Sequence, residues 1–464
     1  MAKLLELLRR NWLFFAVTTL AALGLRLFFV FKFPHISGDT FIYGDIARNW
    51  LNHRTFGLME LGEIRPTLIR LPGYPAFLAV MFKIFGQEHY TAVMVVQALI
   101  DTNLCLVIAA IALELMNEKA AKAAYLLAAL CPFIANYVAA PMSETLSIFC
   151  TAHAFYYGIR GLKELQQQRA GTSYWVIAGL WSAAGTYMRP DGILVLAALG
   201  LGVCGALLTI NRKSLAVAAG AAVLLAALLP LVPWTIRNWR VFGVFQPLAS
   251  RYANDPGEFV PMGFNRWVKT WMVDYVSVEE IYWNEPGTEI DLGKLPERAF
   301  DSRQEYEKTQ QLLERYNQRL EIDPALDADF GKLAQERIIH NPFRYYVWLP
   351  SLRIADMWLR PRTENLPVDT RWWEFSEHRL ESFMVLLWAG LNAWYLLLAL
   401  RGWANHRLGI FALMLIGFVV LRSLFLGTLE NPEPRYVLQC FPVVLALGGG
   451  AFARAEESTS KTAS

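Results

Sequence analysis

Apolar runs of about 20 residues recur along the chain, and they limit its possible fold more than any other feature of the sequence. Such a run is the length that an α-helix needs to cross a bilayer. These runs are too long and too uniformly apolar to be the strands of a transmembrane β-barrel, so that architecture is excluded. An all-α polytopic membrane protein is therefore predicted. About ten candidate spans are found, at residues 11–33, 90–115, 121–140, 143–160, 173–189, 192–210, 214–234, 380–400, 408–427 and 435–452.

The composition agrees with this class. Of the 464 residues, 55% are hydrophobic and 18% are charged, and the net charge of +3 gives no reason to expect nucleic-acid binding. All five cysteines lie in apolar runs and the seven histidines are scattered. Neither a disulfide framework nor a metal site built from cysteine or histidine is predicted, and no cofactor is expected.

The basic residues predict which side of the membrane each loop occupies, because short cytoplasmic loops collect Lys and Arg. With the N-terminus inside, every predicted inside loop is basic. These loops hold Lys119, Lys122, Arg160, Lys163, Arg169, Arg212, Lys213, Arg401, Arg407, Arg454 and Lys461. The apolar run at 72–86 is too short to cross comfortably, and a crossing there would invert the pattern. Both termini are therefore predicted to be cytoplasmic, with the chain in the inner (plasma) membrane.

Four regions follow from this topology. Residues 1–234 form an N-terminal transmembrane module, with a first extracytoplasmic loop at 34–71 and a juxtamembrane helix at 72–86. Residues 235–379 form an extracytoplasmic, mainly helical domain inserted before the last three spans, with many tryptophans that would stack on sugars or lie in the membrane interface. Residues 380–453 supply the C-terminal helices, and residues 454–464 form a disordered cytoplasmic tail.

Acidic residues occur near the predicted outer surface. The first loop reads SGDTFIYGDIARNW, and either Ser37 or Asp39 would cap a short helix there. The apolar side of this helix would hold Phe41, Ile42, Ile46 and Trp50. Asp45 follows about two turns after Asp39, and Glu144 begins the span at 143–160. Carboxylates at these positions suit a general base. The alternative is that Asp39 and Glu144 only cap helices and that Asp45 lies on a solvated face.

Three arginines lie outside at membrane boundaries: Arg70 in IRLPGYP, Arg189 in MRPDG and Arg435 in NPEPRYV. A guanidinium holds phosphate oxygens bidentately and stays charged, so together they would form a clamp for a lipid phosphate. Singly, each would be a snorkelling anchor. Arg26 lies inside the first span, where it must either snorkel or turn inward.

The order of these motifs resembles the bacterial branch of the protein O-mannosyltransferase and lipid A aminoarabinose transferase superfamily. The motifs are an acidic start to the first loop, RLPGYP, PMSE, MRPDG, PWTIRN and EPRY. The resemblance covers about residues 10–250 and 380–452. It implies a GT-C fold and a glycosyltransferase that moves a monosaccharide, with inversion, from a polyprenyl-phosphate donor to an unidentified extracytoplasmic acceptor.

The resemblance also implies roles for residues. Asp39 would be the general base, and Asp45 and Glu144 the further acidic positions of the site. Arg70, Arg189 and Arg435 would bind the donor phosphate. Residues implied to position substrate are Tyr43, Tyr74, Glu433 and Tyr436. The first motif reads Asp39-Thr40 where many relatives have two adjacent acids, so no metal requirement is predicted.

Other functions fit the same topology. A transporter or flippase for a lipid-linked glycan would also have many spans and buried charge, but its site would lie near the bilayer midplane. A polymerase that uses a diphosphate-linked oligosaccharide is a second alternative, and a structural scaffold is a third. For the glycosyltransferase, we expect residues 235–379 to cover the active site and select the acceptor.

Overall fold

The structure is a computed structural model that describes residues 2–376 and 379–453, so the predicted tail at 454–464 lies outside the described residues. The N-terminal part contains α1 (Ala2–Arg10), α2 (Trp12–Lys32), α3 (Asp39–His53), α4 (Gly73–Phe85), α5 (Tyr90–Leu115), α6 (Glu118–Leu130) and α7 (Pro132–Ala135). It continues with α8 (Glu144–Gln166), α9 (Thr172–Met188), α10 (Ile193–Thr209), α11 (Lys213–Leu228) and α12 (Val232–Phe242). An antiparallel hairpin of β1 (Gly57–Glu60) and β2 (Glu63–Pro66) follows α3.

The middle of the chain contains α13 (Met262–Lys269), α14 (Tyr275–Glu280), α15 (Arg303–Asn317), α16 (Pro324–His340) and α17 (Leu349–Leu359). The C-terminal part contains α18 (Arg379–Asn405), α19 (Ile410–Gly427) and α20 (Phe441–Gly450). Two short 3-10 turns matter for the site. One, at Pro190–Gly192, joins α9 to α10, and the other, at Pro434–Cys440, leads into α20.

Helices occur at all ten predicted spans, but fewer are long and apolar enough to cross a membrane. Among the described residues six helices meet both conditions, or seven if the bent pair Glu118–Leu130 and Pro132–Ala139 counts as one span. The pair bends by 44° at Pro132, which cannot donate a backbone hydrogen bond. Of the others, α9 has 17 residues and α20 has 10. The predicted count of about ten spans is therefore not confirmed.

The helices approach each other closely where small residues face a neighbour. An added Cβ at Gly402 in α18 would overlap the carbonyl oxygen of Leu447 in α20. An added Cβ at Gly449 in α20 would overlap the carbonyl oxygen of Ala120 in α6. In lipid, helices associate largely through such close packing. These contacts fix α20 and the turn before it, which carries Arg435.

Arg26 turns inward, which was one of its two predicted positions. Its side chain is fully buried, and Nε donates to Asp101 Oδ2 on α5 at 2.7 Å. The other guanidinium nitrogens donate to the backbone carbonyls of Ala22, Ala128 and Ala129. The charge is therefore paired inside the helix bundle.

The predicted short helix after the first span is α3, but the structure corrects how it begins. Its N-cap is Gly38, with φ of 45°, and no side chain caps it. The first turn is closed instead by Thr40 N, which donates to Ser37 O at 3.0 Å, and Ser37 Oγ bonds His35 Nε2. The predicted capping by Ser37 or Asp39 was therefore wrong. Phe41, predicted on the apolar side of this helix, is 58% exposed.

Residues 264–334 have an aromatic core of their own. Trp267 and Trp271 are fully buried there and pack with Phe264 and Phe330. Neither tryptophan can therefore stack on a sugar or lie in the membrane interface, which corrects the prediction for these two. Trp283, by contrast, is 46% exposed.

Candidate active site

A carboxylate at the start of α3 meets two arginines from distant parts of the chain. Asp39 Oδ1 lies 2.7 Å from Arg70 Nη2, and Asp39 Oδ2 lies 3.5 Å from Arg435 Nη2. Arg70 precedes α4, and Arg435 lies in the turn before α20. Because Asp39 is not used as a helix cap, both of its oxygens face guanidinium groups. The structure thus brings together three residues that the sequence singles out.

Arg435 extends this network to the start of α8. Its Nη1 lies 3.7 Å from Glu144 Oε1, which is also 2.6 Å from Arg189 Nη1. Its Nε lies 2.5 Å from Glu433 Oε2. Glu144 is 3% exposed, and its Oε2 has no hydrogen-bond partner within the described part of the chain. Glu144 is not a capping residue, since the N-cap of α8 is Ser143 and makes no side-chain cap bond.

Asp191 and Arg422 extend the charged network beyond Arg189. Asp191 accepts from Arg189 Nε at 3.4 Å and from Arg422 Nη2 at 2.8 Å. Arg422 is fully buried in α19, and its Nε donates to the backbone oxygen of Tyr436 at 2.8 Å. The Tyr436 hydroxyl donates to Glu433, and its ring lies 5.1 Å from the Arg189 guanidinium carbon. Arg422 and the acid Asp191 were not among the site residues predicted from the sequence. The signal for the former was one arginine inside an otherwise apolar run.

The two tyrosines of α3 and α4 have different surroundings. The ring of Tyr43 lies 5.7 Å from the Arg70 guanidinium carbon and lines the cavity described below. Tyr74 is fully buried, and its hydroxyl donates to Gln97 Oε1 at 2.7 Å. The two rings meet edge to face at 5.0 Å. Tyr74 does not line the cavity, but it packs against Tyr43, which does.

Asp45 is not brought to this cluster. Its Oδ1 bonds Arg48, and its Oδ2 accepts from the backbone N of Met59 at 2.7 Å. The reason is helical geometry, because six residues at 3.6 per turn place Asp39 and Asp45 about 120° apart around α3. Asp45 therefore joins α3 to the hairpin, and the interpretation of it as a residue of the same site needs correcting.

The charged cluster lines one part of a cavity of about 1140 Å³. The first loop contributes Asp39 and Arg70, and the turns before α10 and α20 contribute Arg189 and Arg435. Further lining comes from residues 248–254 and 259–261 and from the loop that follows α14. A cavity of this size, lined by convergent charged groups and apolar side chains, is typical of a ligand site.

The arginines keep Asp39 ionised. Burial raises the pKa of Asp39, but Arg70 and Arg435 together lower it more, and the pKa lies below its usual range. Asp39 is therefore a carboxylate at neutral pH.

Two contacts hold the segment that carries Arg70. Leu68 N donates to Asp255 Oδ1 at 2.7 Å. Arg237, from the PWTIRN motif, donates to the carbonyl oxygens of Thr67 and Phe56, each at 2.8 Å. The guanidinium of Arg237 thus closes the base of the hairpin loop, and it fixes the backbone two to three residues before Arg70.

The described residues contain no group of three or more His, Cys, Asp or Glu side chains that could hold a metal ion. The carboxylates of the cluster contact guanidinium groups instead. Thr40, in place of a second acid, is fully buried. The absence of a divalent-metal requirement stays a prediction. We expect EDTA to leave the rate of sugar transfer unchanged.

Comparisons with known proteins bear on this fold. Residues 66–234 match the family model described as dolichyl-phosphate-mannose-protein mannosyltransferase. This range includes Arg70, Glu144 and Arg189. No curated protein matches the chain significantly in sequence.

Two solved structures share the fold across nearly the whole chain. One is the archaeal oligosaccharyltransferase AglB from Archaeoglobus fulgidus in complex with an inhibitory peptide and a dolichol-phosphate, at 11% identity and a TM-score of 0.54. The match covers 95% of this chain and 50% of that one. The other is the oligosaccharyltransferase of the same organism tethered to an acceptor peptide, at 12% identity and a TM-score of 0.54. It covers 96% of this chain and 50% of that one, so the chain spans about half the length of both.

The chain is thus an all-α polytopic membrane protein with the GT-C fold. Within this class, the match of residues 66–234 confirms the predicted resemblance to the protein O-mannosyltransferases.

Proposed function

We propose that this protein is a membrane glycosyltransferase that moves a monosaccharide, with inversion, from a polyprenyl-phosphate donor to an extracytoplasmic acceptor. The observation that carries the proposal is the position of Asp39, which faces Arg70 and Arg435 inside a large cavity. A carboxylate next to two cations offers a proton acceptor beside a phosphate site. This is the pair of functions that transfer from a sugar phosphate needs.

The lining of the cavity suits a lipid phosphate. Arg70, Arg189 and Arg435 supply guanidinium groups for the phosphate oxygens. Apolar residues at the adjacent ends of α10 and α19, Ile193 and Phe425, line the same cavity and suit the first isoprene units. The dolichol-phosphate in the complex of the archaeal oligosaccharyltransferase supports a polyprenyl donor here.

The reaction would take place in one displacement. An acceptor hydroxyl gives its proton to Asp39 as its oxygen bonds the anomeric carbon of the donor sugar. The bond from that carbon to the phosphate oxygen breaks on the opposite face, which inverts the anomeric configuration. Its electron pair leaves with the polyprenyl phosphate, whose growing charge Arg70 and Arg435 stabilise.

In the free protein Asp39 has the same arginine partners that a donor phosphate would bind. Binding of the phosphate therefore draws guanidinium charge away from the carboxylate. Because those cations lower the pKa of Asp39, their engagement by phosphate raises its pKa and makes it a better base. Donor binding thus prepares the base for the acceptor.

The test is transfer of label from a set of radiolabelled polyprenyl-phosphate sugars in membranes that contain the protein at matched levels. We expect Asp39→Asn to lower the rate by about 10²- to 10⁴-fold, the usual value of general-base action. Arg70→Ala should lower it as well. Asp45→Asn is the matched control, since this carboxylate lies on the same helix outside the cluster, and it should keep most of the activity.

Equal activity of Asp39→Asn and wild type would contradict the proposal. If the wild-type protein transfers no sugar but moves a lipid-linked glycan across the membrane, its function is that of a transporter. A product that grows by whole oligosaccharides would identify the protein as a polymerase.

A further inference from the structure

The cavity has a second wall that differs in charge from the arginine cluster. Three carboxylates line it: Glu279 on α14, Glu285 in the loop after α14, and Glu364 in the segment after α17. Among the described residues these three form no ion pair. At the cluster, by contrast, Asp39 and Glu433 are both paired with arginine. We call the three carboxylates, with Trp283 and Asn365, the acidic wall.

Two polar atoms of the acidic wall are buried without a partner. Glu364 Oε1 accepts from Tyr137 Oη at 3.2 Å, but its Oε2 has no hydrogen-bond partner within the described residues. Asn365 is 8% exposed, and its Nδ2 is also unpartnered there. Buried polar atoms are nearly always hydrogen-bonded, so Glu364 and Asn365 each have an unused hydrogen-bonding atom in a side chain that lines the cavity.

Aromatic rings lie beside these groups. Trp283 lines the cavity with 46% of its surface exposed, and its ring meets that of Tyr275 at 5.7 Å, edge to face. The Tyr275 hydroxyl donates to Glu279 at 3.2 Å. The wall therefore combines an apolar ring face, carboxylate acceptors and an amide donor within one lining.

This combination matches one chemical class of ligand. A neutral sugar has C–H faces that pack on an aromatic ring, and hydroxyls that both donate and accept. An anionic ligand would meet like charge at Glu285 and Glu364, and an aliphatic ligand would leave the buried polar atoms unpaired. Burial raises the pKa of each of these two carboxyls to about 7. A carboxyl can accept from a hydroxyl when ionised and donate to one when protonated.

The acidic wall lies close enough to the arginine cluster to hold the acceptor. Glu364 accepts from the hydroxyl of Tyr137, and Met142, five residues further along the chain, contacts Arg435 Nη1 at 3.3 Å. The segment that contains Tyr137 and Met142 therefore contacts both the acidic wall and the arginine cluster. The acceptor hydroxyl must reach Asp39, which lines the same cavity as the acidic wall, so a sugar bound on the wall shares one enclosed space with the proposed base.

We infer that the acidic wall is the acceptor subsite and that the acceptor group bound there is a neutral sugar. This inference rests on the proposed function. It adds to it the class of acceptor and the residues that bind it, with Trp283 as the stacking surface and with Glu364 and Asn365 as hydrogen-bonding groups.

The test measures binding of two probes to the full-length protein in lipid nanodiscs. One probe is undecaprenyl phosphate, and the other is methyl mannoside or methyl glucoside, followed by saturation-transfer NMR. We expect Trp283→Leu and Glu364→Gln each to weaken the signal of the neutral glycoside at least fivefold, and to leave the affinity for undecaprenyl phosphate unchanged. The matched controls are Trp373→Leu and Glu297→Gln, whose side chains are exposed and do not line the cavity.

The competing ligands are part of the same experiment. Stronger binding of methyl glucosaminide, an amine, or of methyl glucuronide, an acid, would overturn the inference. So would a neutral glycoside signal that neither variant changes, or no signal with wild type. Failure of undecaprenyl phosphate to bind the wild-type protein would instead contradict the proposed function, which separates the two.

Discussion

Arg26 and Arg435 are both arginines that contact carboxylates, but Arg26 is fully buried and Arg435 is partly exposed. Arg26 contacts Asp101 between α2 and α5, and its other nitrogens bond backbone carbonyls. Arg435 contacts three carboxylates, those of Asp39, Glu144 and Glu433, and it lines the cavity. Arg26 and Asp101 do not line it.

Incomplete pairing does not distinguish the two networks. Each leaves one buried carboxylate oxygen without a partner in the described chain, Asp101 Oδ1 in the first and Glu144 Oε2 in the second. What differs is that a ligand can reach the second network and exchange partners with it. A buried charge in a membrane protein therefore indicates function only when a cavity gives access to it.

The largest expected effect is on the pair of Arg26 and Asp101, which does not line the cavity. Arg26→Leu leaves Asp101 buried without its cation, which should lower the free energy of unfolding by about 3–5 kcal/mol. The double variant Arg26→Leu/Asp101→Leu removes both charges and should recover most of that loss. Thermal unfolding in detergent measures both, and the activity per folded molecule should stay at the wild-type level in each. A double variant as unstable as the single one would contradict the assignment of a structural pair.

An intermediate effect is expected at Arg237, which supports the segment that carries Arg70. Arg237→Met removes the bonds to Thr67 and Phe56 and should let the segment with Arg70 move. A shift of about 1 Å costs up to about 10²-fold in rate, so we expect transfer to slow by about 10- to 100-fold. The matched control is Arg240→Met, an exposed arginine on the same helix. Equal rates for the two variants would show that Arg237 does not position the site.

The smallest effect is a shift in pH dependence. Arg435 lowers the pKa of Asp39, so Arg435→Gln should raise that pKa. Asp39 must be ionised to act as a base, and a raised pKa leaves it protonated up to a higher pH. The acid limb of kcat/KM, which reports the free enzyme, should therefore move to higher pH by up to about one unit. The limb should stay in place in Arg26→Leu, because Arg26 is outside the cluster.

The sequence predicted the parts of the fold and site that depend on local pattern. Long apolar runs predict the helices. Short motifs at their ends point to Asp39, Glu144 and the three arginines, because ionisable residues are costly at such places unless they are paired or used. The number of spans was harder to predict, since α9 and α20 are too short to satisfy a simple length rule.

Contacts between distant segments were beyond the sequence. The pairing of Arg422 with Asp191 depends on how α19 packs, and the acidic wall combines the loop after α14 with residues near Glu364. Asp45 shows a different limit. Its spacing from Asp39 was read as nearness along the helix, when the angle around the helix axis decided where the side chain points.

The bond from Leu68 N to Asp255 joins positions 187 residues apart. It connects the backbone before Arg70 to a segment whose residues 248–254 and 259–261 also line the cavity. A ligand that displaced either segment would therefore alter the geometry offered to a ligand on the other. By thermodynamic reciprocity, each substrate would then change the affinity of its co-substrate by the same factor. One hydrogen bond would thus couple the affinities of the two substrates.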